Sequence, residues 1–261
     1  MVPDQSLSDR GLWVRRCGSG DRVLVLLHGM GANGAVWSRL LPILDSRWSG
    51  RVLVPDLRGH GRSIRQGPYG IDTHAADIAA LIAGEAARSV ILVGHSFGGA
   101  VAALAASGRF GLSAQHVIAI GVKIRWSEDE IARAQEMAQR PARSFSTREE
   151  AIERYLKVSG LSGLADPASE AAAEGIVGGP GAWRVAMDPG AFAAVGPSVP
   201  SVLRSCAAPL HLAAGENDPM VTLDDMRAID PAAVTFSGHG HNVHWEAPET
   251  VWELVETIIA L

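Results

Sequence analysis

Six short apolar runs limit this chain to few architectures: "RVLVLLHG" (22–29), "RVLVPD" (51–56), "SVILVGH" (89–95), "HVIAIGV" (116–122), "PLHLAAG" (209–215) and "AAVTFSG" (232–238). Most are Val, Ile and Leu without polar alternation, and each ends at a glycine or a polar loop. A strand that is apolar on both faces is covered on both faces, which points to a parallel sheet flanked by helices. The intervening segments read as helices: "AVWSRLLPIL" places Val36, Trp37, Leu40, Leu41 and Leu44 on one stripe, followed by "IDTHAADIAALIAGEAA", the alanine-rich "GGAVAALAAS" and "APETVWELVETIIAL". Leu12 to Cys17 reads as one further extended run before the turn "GSGD".

The alternation stops at Lys123, and no strand is expected until about Val199. Ser127 with Glu130, and Thr147 with Glu150, have capping-box spacing ahead of "IARAQEMAQR" and "AIERYLKVSG". Pro141 stops the first of these helices and Gly160 caps the second. A third helix is expected from Asp166-Pro167 to Gly175. The predicted organisation is an α/β core formed by 1–123 and 200–261, with 124–199 inserted as a helical lid.

A net charge of -5 argues against nucleic acid or an anionic membrane as the main partner. Cys17 and Cys206 make no disulfide framework and have no zinc-ligand spacing. The first residues lack a basic segment followed by an apolar stretch, and no apolar run approaches the ~20 residues of a membrane span. The expectation is a cytoplasmic protein acting on a small molecule.

Between the third run and its helix stands "GHSFGG", the pattern G-x-S-x-G formed by Gly94, Ser96 and Gly98. On a strand-to-helix corner this pattern lifts a serine hydroxyl into the open, and only glycines two residues away leave room for so tight a turn. A serine nucleophile needs a base, and the base needs an orienting acid. His241 in "GHGHNVHWEAPE" follows the last run, with His239 and His244 as neighbours that could serve instead. Glu216 and Asp218 in "AAGENDPMV" follow the run before it. The developing oxyanion needs donors. Phe97 supplies one backbone N–H, and the loop "LLHGMG" supplies a second through Met30, with His28 supporting the loop.

These motifs, together with "LLHGMGANGAVW", "VPDLRGHGRS" and "GENDPMV", resemble the α/β-hydrolase fold family over nearly the whole chain. The resemblance implies a mostly parallel sheet with an inserted helical lid. The glycine–histidine motif followed by an acid and a proline (Gly240, His241, Glu246, Pro248) selects His241, and the spacing after Gly215 selects Asp218. It implies a catalytic set of Ser96, Asp218 and His241, an oxyanion hole at Met30 and Phe97, and no metal or organic cofactor. The expected reaction is hydrolysis of a carboxylic ester or lactone. A carbon–carbon bond hydrolase, a cofactor-free oxygenase or a ligand-binding protein are the alternatives on the same fold. Substrate contacts are expected from His28, Lys123, Trp126 and Trp245, with Lys123 or Arg125 meeting a negative charge. Trp245, four residues past His241, is the feature shared with some carbon–carbon hydrolases.

Overall fold

The computed structural model describes residues 4–196 and 198–260. In chain order the elements are β1 (Asp4–Leu7), β2 (Trp13–Gly18), β3 (Arg22–Leu27), α1 (Leu41–Arg47), β4 (Arg51–Pro55), α2 (Ile71–Ala83), β5 (Ser89–His95), α3 (Phe97–Ala105) and β6 (His116–Ile120). They continue with α4 (Glu128–Gln139), α5 (Arg148–Val158), α6 (Glu170–Glu174), β7 (Ile176–Val177), β8 (Arg184–Val185), α7 (Val199–Arg204), β9 (Leu210–Gly215), α8 (Leu223–Arg227), β10 (Val234–Phe236), α9 (Val243–Glu246) and α10 (Pro248–Ile259). One sheet holds eight strands in the order β1-β2-β4-β3-β5-β6-β9-β10. β1 and β2 run antiparallel, and the pairs from β4 to β10 are parallel. The period of two along β3 divides the core: Val23, Val25 and Leu27 enter the apolar cluster on one face, Leu24 and Leu26 the cluster on the other. Burial on both faces explains why these runs lack polar alternation.

The regular structure between β6 and α7 is mostly helix, joined by long loops, and both expected capping boxes form. It departs from expectation in two places, the first being that β7 and β8 pair as a small antiparallel hairpin. Two-residue strands are too short to show a period, so the sequence pattern could not reveal them. The third helix begins at Glu170 rather than Asp166, because Asp166 accepts the Ala168 amide in a local turn and Ser169 takes the cap. The stripe after β3 divides as well, into a 3-10 turn (Gly34–Trp37) and α1, whose first turn holds Pro42. β1 was not foreseen at all. The stretch between β6 and α7 is tied to the loop after β3 by Asn33, whose Nδ2 donates to Tyr155 Oη at 3.0 Å and to the Ala171 carbonyl at 3.0 Å.

Candidate active site

The residues singled out above follow the C-terminal ends of parallel strands: Met30 after β3, Ser96 after β5, Asp218 after β9 and His241 after β10. Open α/β sheets bind ligands at this edge. Ser96 has φ 51° and ψ -117°, and only Ala86 shares a positive φ among the described non-glycine residues. Its amide is held by the Ile120 carbonyl at 2.7 Å, while the chain turns directly into α3. The flanking glycines are required by contact. A Cβ on Gly94 would lie 2.3 Å from the Gly98 carbonyl oxygen, and one on Gly98 would lie 2.4 Å from the Leu27 carbonyl oxygen. Small residues therefore let α3 start against β3 and leave the half-buried serine at the corner.

Of the two acids and three histidines, the structure brings one pair together. His241 Nδ1 donates to Asp218 Oδ2 at 2.7 Å, and the Asp218 carboxylate is fully buried. Its other oxygen accepts the Met220 amide at 2.9 Å. Glu216 is exposed and instead accepts from Ser237 Oγ and the Gly238 amide, both at 2.9 Å. His239 lies 3.7 Å from Glu246, and His244 is buried between Trp37 and His95. Ser96 and His241 line one cavity of about 570 Å³, together with Met30 and Phe97. Among the described residues, neither the Met30 nor the Phe97 amide has a protein acceptor, which leaves two donors available at the corner.

His28 is fully buried and stands outside the cavity wall, which corrects its reading as a substrate contact. Its Nε2 accepts the Leu57 amide at 2.9 Å and its Nδ1 donates to the Gly29 carbonyl at 2.8 Å. His60 does the same one loop further on, accepting the Gly31 amide at 3.1 Å and donating to the Arg58 carbonyl at 3.0 Å. Both must be neutral to accept, and burial pushes His28 down to about 4 and His60 down to about 3. Together they hold the loop that carries Met30.

Trp245 is also placed away from the cavity. It is buried and donates Nε1–H to the Leu164 carbonyl at 3.2 Å. The feature that suggested carbon–carbon cleavage therefore does not reach the site. Lys123 and Trp126 do line the cavity, but the Lys123 charge is taken by Glu130, with its ammonium 4.9 Å from the Trp126 ring centre. Arg125 pairs with Asp225.

Two residues at the site were missed. His95, the variable position of G-x-S-x-G, lines the cavity, and its Nε2 donates to the His241 carbonyl at 3.0 Å. Gly121, at φ 66°, leaves the space that the His241–Asp218 pair fills, since a Cβ there would lie 3.3 Å from His241 Nδ1 and 3.4 Å from Asp218 Oδ2. A glycine closing a buried strand was the available signal for the second. Among the described residues, no group of three or more His, Cys, Asp or Glu side chains could hold a metal ion, and no helix is long and apolar enough to cross a membrane.

The family profile described as "Alpha/beta hydrolase family" matches residues 24–254, and the chain belongs to that family. Within the family, Lipase LipV of Mycobacterium tuberculosis is 40% identical over 102 residues, covering 38% of this chain and 37% of that protein. A pimeloyl-[acyl-carrier protein] methyl ester esterase of Edwardsiella ictaluri is 38% identical over 95 residues, covering 36% and 34%. The chain thus matches about a third of the length of these curated relatives. The thioesterase domain from the curacin biosynthetic pathway has the same fold, with a TM-score of 0.80 at 23% identity over 98% of this chain and 99% of that one.

Proposed function

We propose that the chain is a serine hydrolase that cleaves a carboxylic ester or lactone through an acyl-enzyme. The observation that carries this reading is the convergence of a strained, glycine-flanked Ser96 and an Asp218-bonded His241 on one cavity with two free backbone donors. Ser96 Oγ attacks the acyl carbon while its proton passes to His241 Nε2. His241 then gives that proton to the leaving oxygen. Water, deprotonated by the same nitrogen, attacks the acyl-enzyme and releases the acid. Asp218 fixes the tautomer and stabilises the imidazolium. The Met30 and Phe97 amides meet the oxyanion. Residues 124–199 act as the lid over a core of 1–123 and 200–261, since Trp126, Met137, Val158 and Phe192 from that stretch wall the cavity. The esterase and lipase relatives support the bond class.

The test assays purified protein on short p-nitrophenyl esters and lactones, on a vinylogous diketone acid, and for oxygen uptake with a heteroaromatic substrate. Ester or lactone turnover that Ser96→Ala abolishes is the expected result. Diketone cleavage or oxygen uptake without ester turnover would replace this reading.

A further inference from the structure

A second cavity of about 390 Å³ adjoins the first, with Met137, Val158 and Phe192 as the common wall. Arg140, Arg143 and Arg154 line it, and no carboxylate does. The first cavity adds Lys123, Arg133 and Lys157, with Glu130 as its one acid. Glu130 is engaged by Lys123, and Glu136 meets Arg140 from outside the cavity. Among the described residues, Arg133, Arg143, Arg154 and Lys157 have no acidic partner within 4 Å. This concentration of cations runs against a chain whose net charge is -5. Like charges gathered on a concave, partly apolar wall repel one another and focus a positive potential into the space between them.

We propose that this second cavity binds a phosphate-bearing leaving group on a flexible arm, while the acyl part lies in the first cavity beside Ser96. The proposal rests on the ester-hydrolase reading and narrows it, because a lactone has no separate leaving group to place there. Among the described residues, Arg143 and Arg154 have no acidic partner and Arg140 stands beside them with Glu136, a set that suits a phosphate, which accepts from two or three donors at once. Arg143 lies over the Phe145 ring at 4.9 Å, which fixes the group without occupying its donors. The shared wall separates the phosphate from the scissile carbonyl, so a linker of several atoms must cross it. In the reaction the acyl–sulfur or acyl–oxygen bond breaks, and the acyl group passes to Ser96 Oγ. The phosphorylated thiol or alcohol leaves with the proton from His241, and water releases the acid.

The test compares octanoyl-coenzyme A with octanoyl-pantetheine, which share the acyl group, the thioester and the pantetheine arm, while only the first carries the adenosine phosphates. The expected ratio of kcat/KM favours the coenzyme A thioester by at least about tenfold at low salt, and the advantage shrinks as salt is added. Arg143→Gln/Arg154→Gln lowers that ratio by about tenfold, and Arg154→Gln alone lowers it by less. Both positions are exposed, and circular dichroism checks that the variants are folded. Calorimetric titration of Ser96→Ala with coenzyme A alone reads the subsite without hydrolysis. Binding there that the arginine variants weaken supports the subsite even if neither thioester turns over, a result that would count against the hydrolase reading only. Turnover of the neutral thioester with no coenzyme A binding, or a ratio near one that the arginine variants do not move, overturns the subsite.

Discussion

Replacing His244 with Phe should flatten the acid side of the stability curve. His244 is fully buried, stacked 4.1 Å from His95 and 4.7 Å from Trp37, and neither ring nitrogen has a hydrogen-bond partner. Burial pushes it down to about 3. The unfolded chain takes up the same proton near pH 6.5. A histidine depressed in this way leaves stability intact above pH 6.5 and removes it as pH falls toward the folded value. At pH 5.5 the unfolded state gains about 1 kcal/mol from protonating one such ring, and the native state gains almost nothing. His28, His60 and His74, at about 4, 3 and 3, behave alike. The four together cost several kcal/mol at pH 5.5, a sizeable share of the roughly 5–15 kcal/mol of a typical native protein. Asp56 and Glu174, pushed up by burial, act in the opposite direction and offset part of this.

The aromatic stack survives in Phe and no hydrogen bond is lost. The difference between variant and wild type at pH 5.5, relative to the same difference at pH 8, should therefore be about 1 kcal/mol in favour of His244→Phe, or roughly 2–4 °C in Tm. Urea unfolding followed by tryptophan fluorescence at both pH values reads this directly. Packing changes cancel between the two pH values. Parallel stability–pH curves for variant and wild type would refute the reasoning, because they would mean that His244 takes up its proton at the same pH in the folded and unfolded chain.

Two other substitutions probe the site. Asp218→Asn should lower kcat by about 10^4 through the wrong His241 tautomer, while Glu216→Gln, which touches only Ser237 and Gly238, stays within a few fold; steady-state ester kinetics rank them. Gly98→Ala should cost about 1–3 kcal/mol of stability or more and slow ester turnover about 10^2-fold, because its Cβ meets the Leu27 and His28 carbonyls, which cannot move aside. Gly179→Ala, with nothing within 4 Å, is the matched control, and thermal melts beside kinetics separate the two.

The parallel runs were legible because burial on both faces writes itself into unbroken Val, Ile and Leu. The corner was legible because a turn so tight excludes side chains at Gly94 and Gly98. The strand pairs β1/β2 and β7/β8 were harder: β1 is only half-buried and β7/β8 is too short for a period. His28 and Trp245 were placed at the site because they neighbour it in sequence, but depth below a loop depends on tertiary packing. His28 turned inward to hold two loops together, and Trp245 turned toward Leu164. The walls supplied by Met137, Val158 and Phe192 come from α4, α5 and the 3-10 turn Pro189–Ala194. No local pattern shows that these three segments meet.

The most direct test of the central claim is peptide mapping by mass spectrometry after reaction with a fluorophosphonate. One adduct is expected, on the peptide holding Ser96, absent from Ser96→Ala and formed much more slowly in His241→Ala. An adduct on another residue, or none while ester turnover persists, would contradict the assignment of Ser96 as the nucleophile.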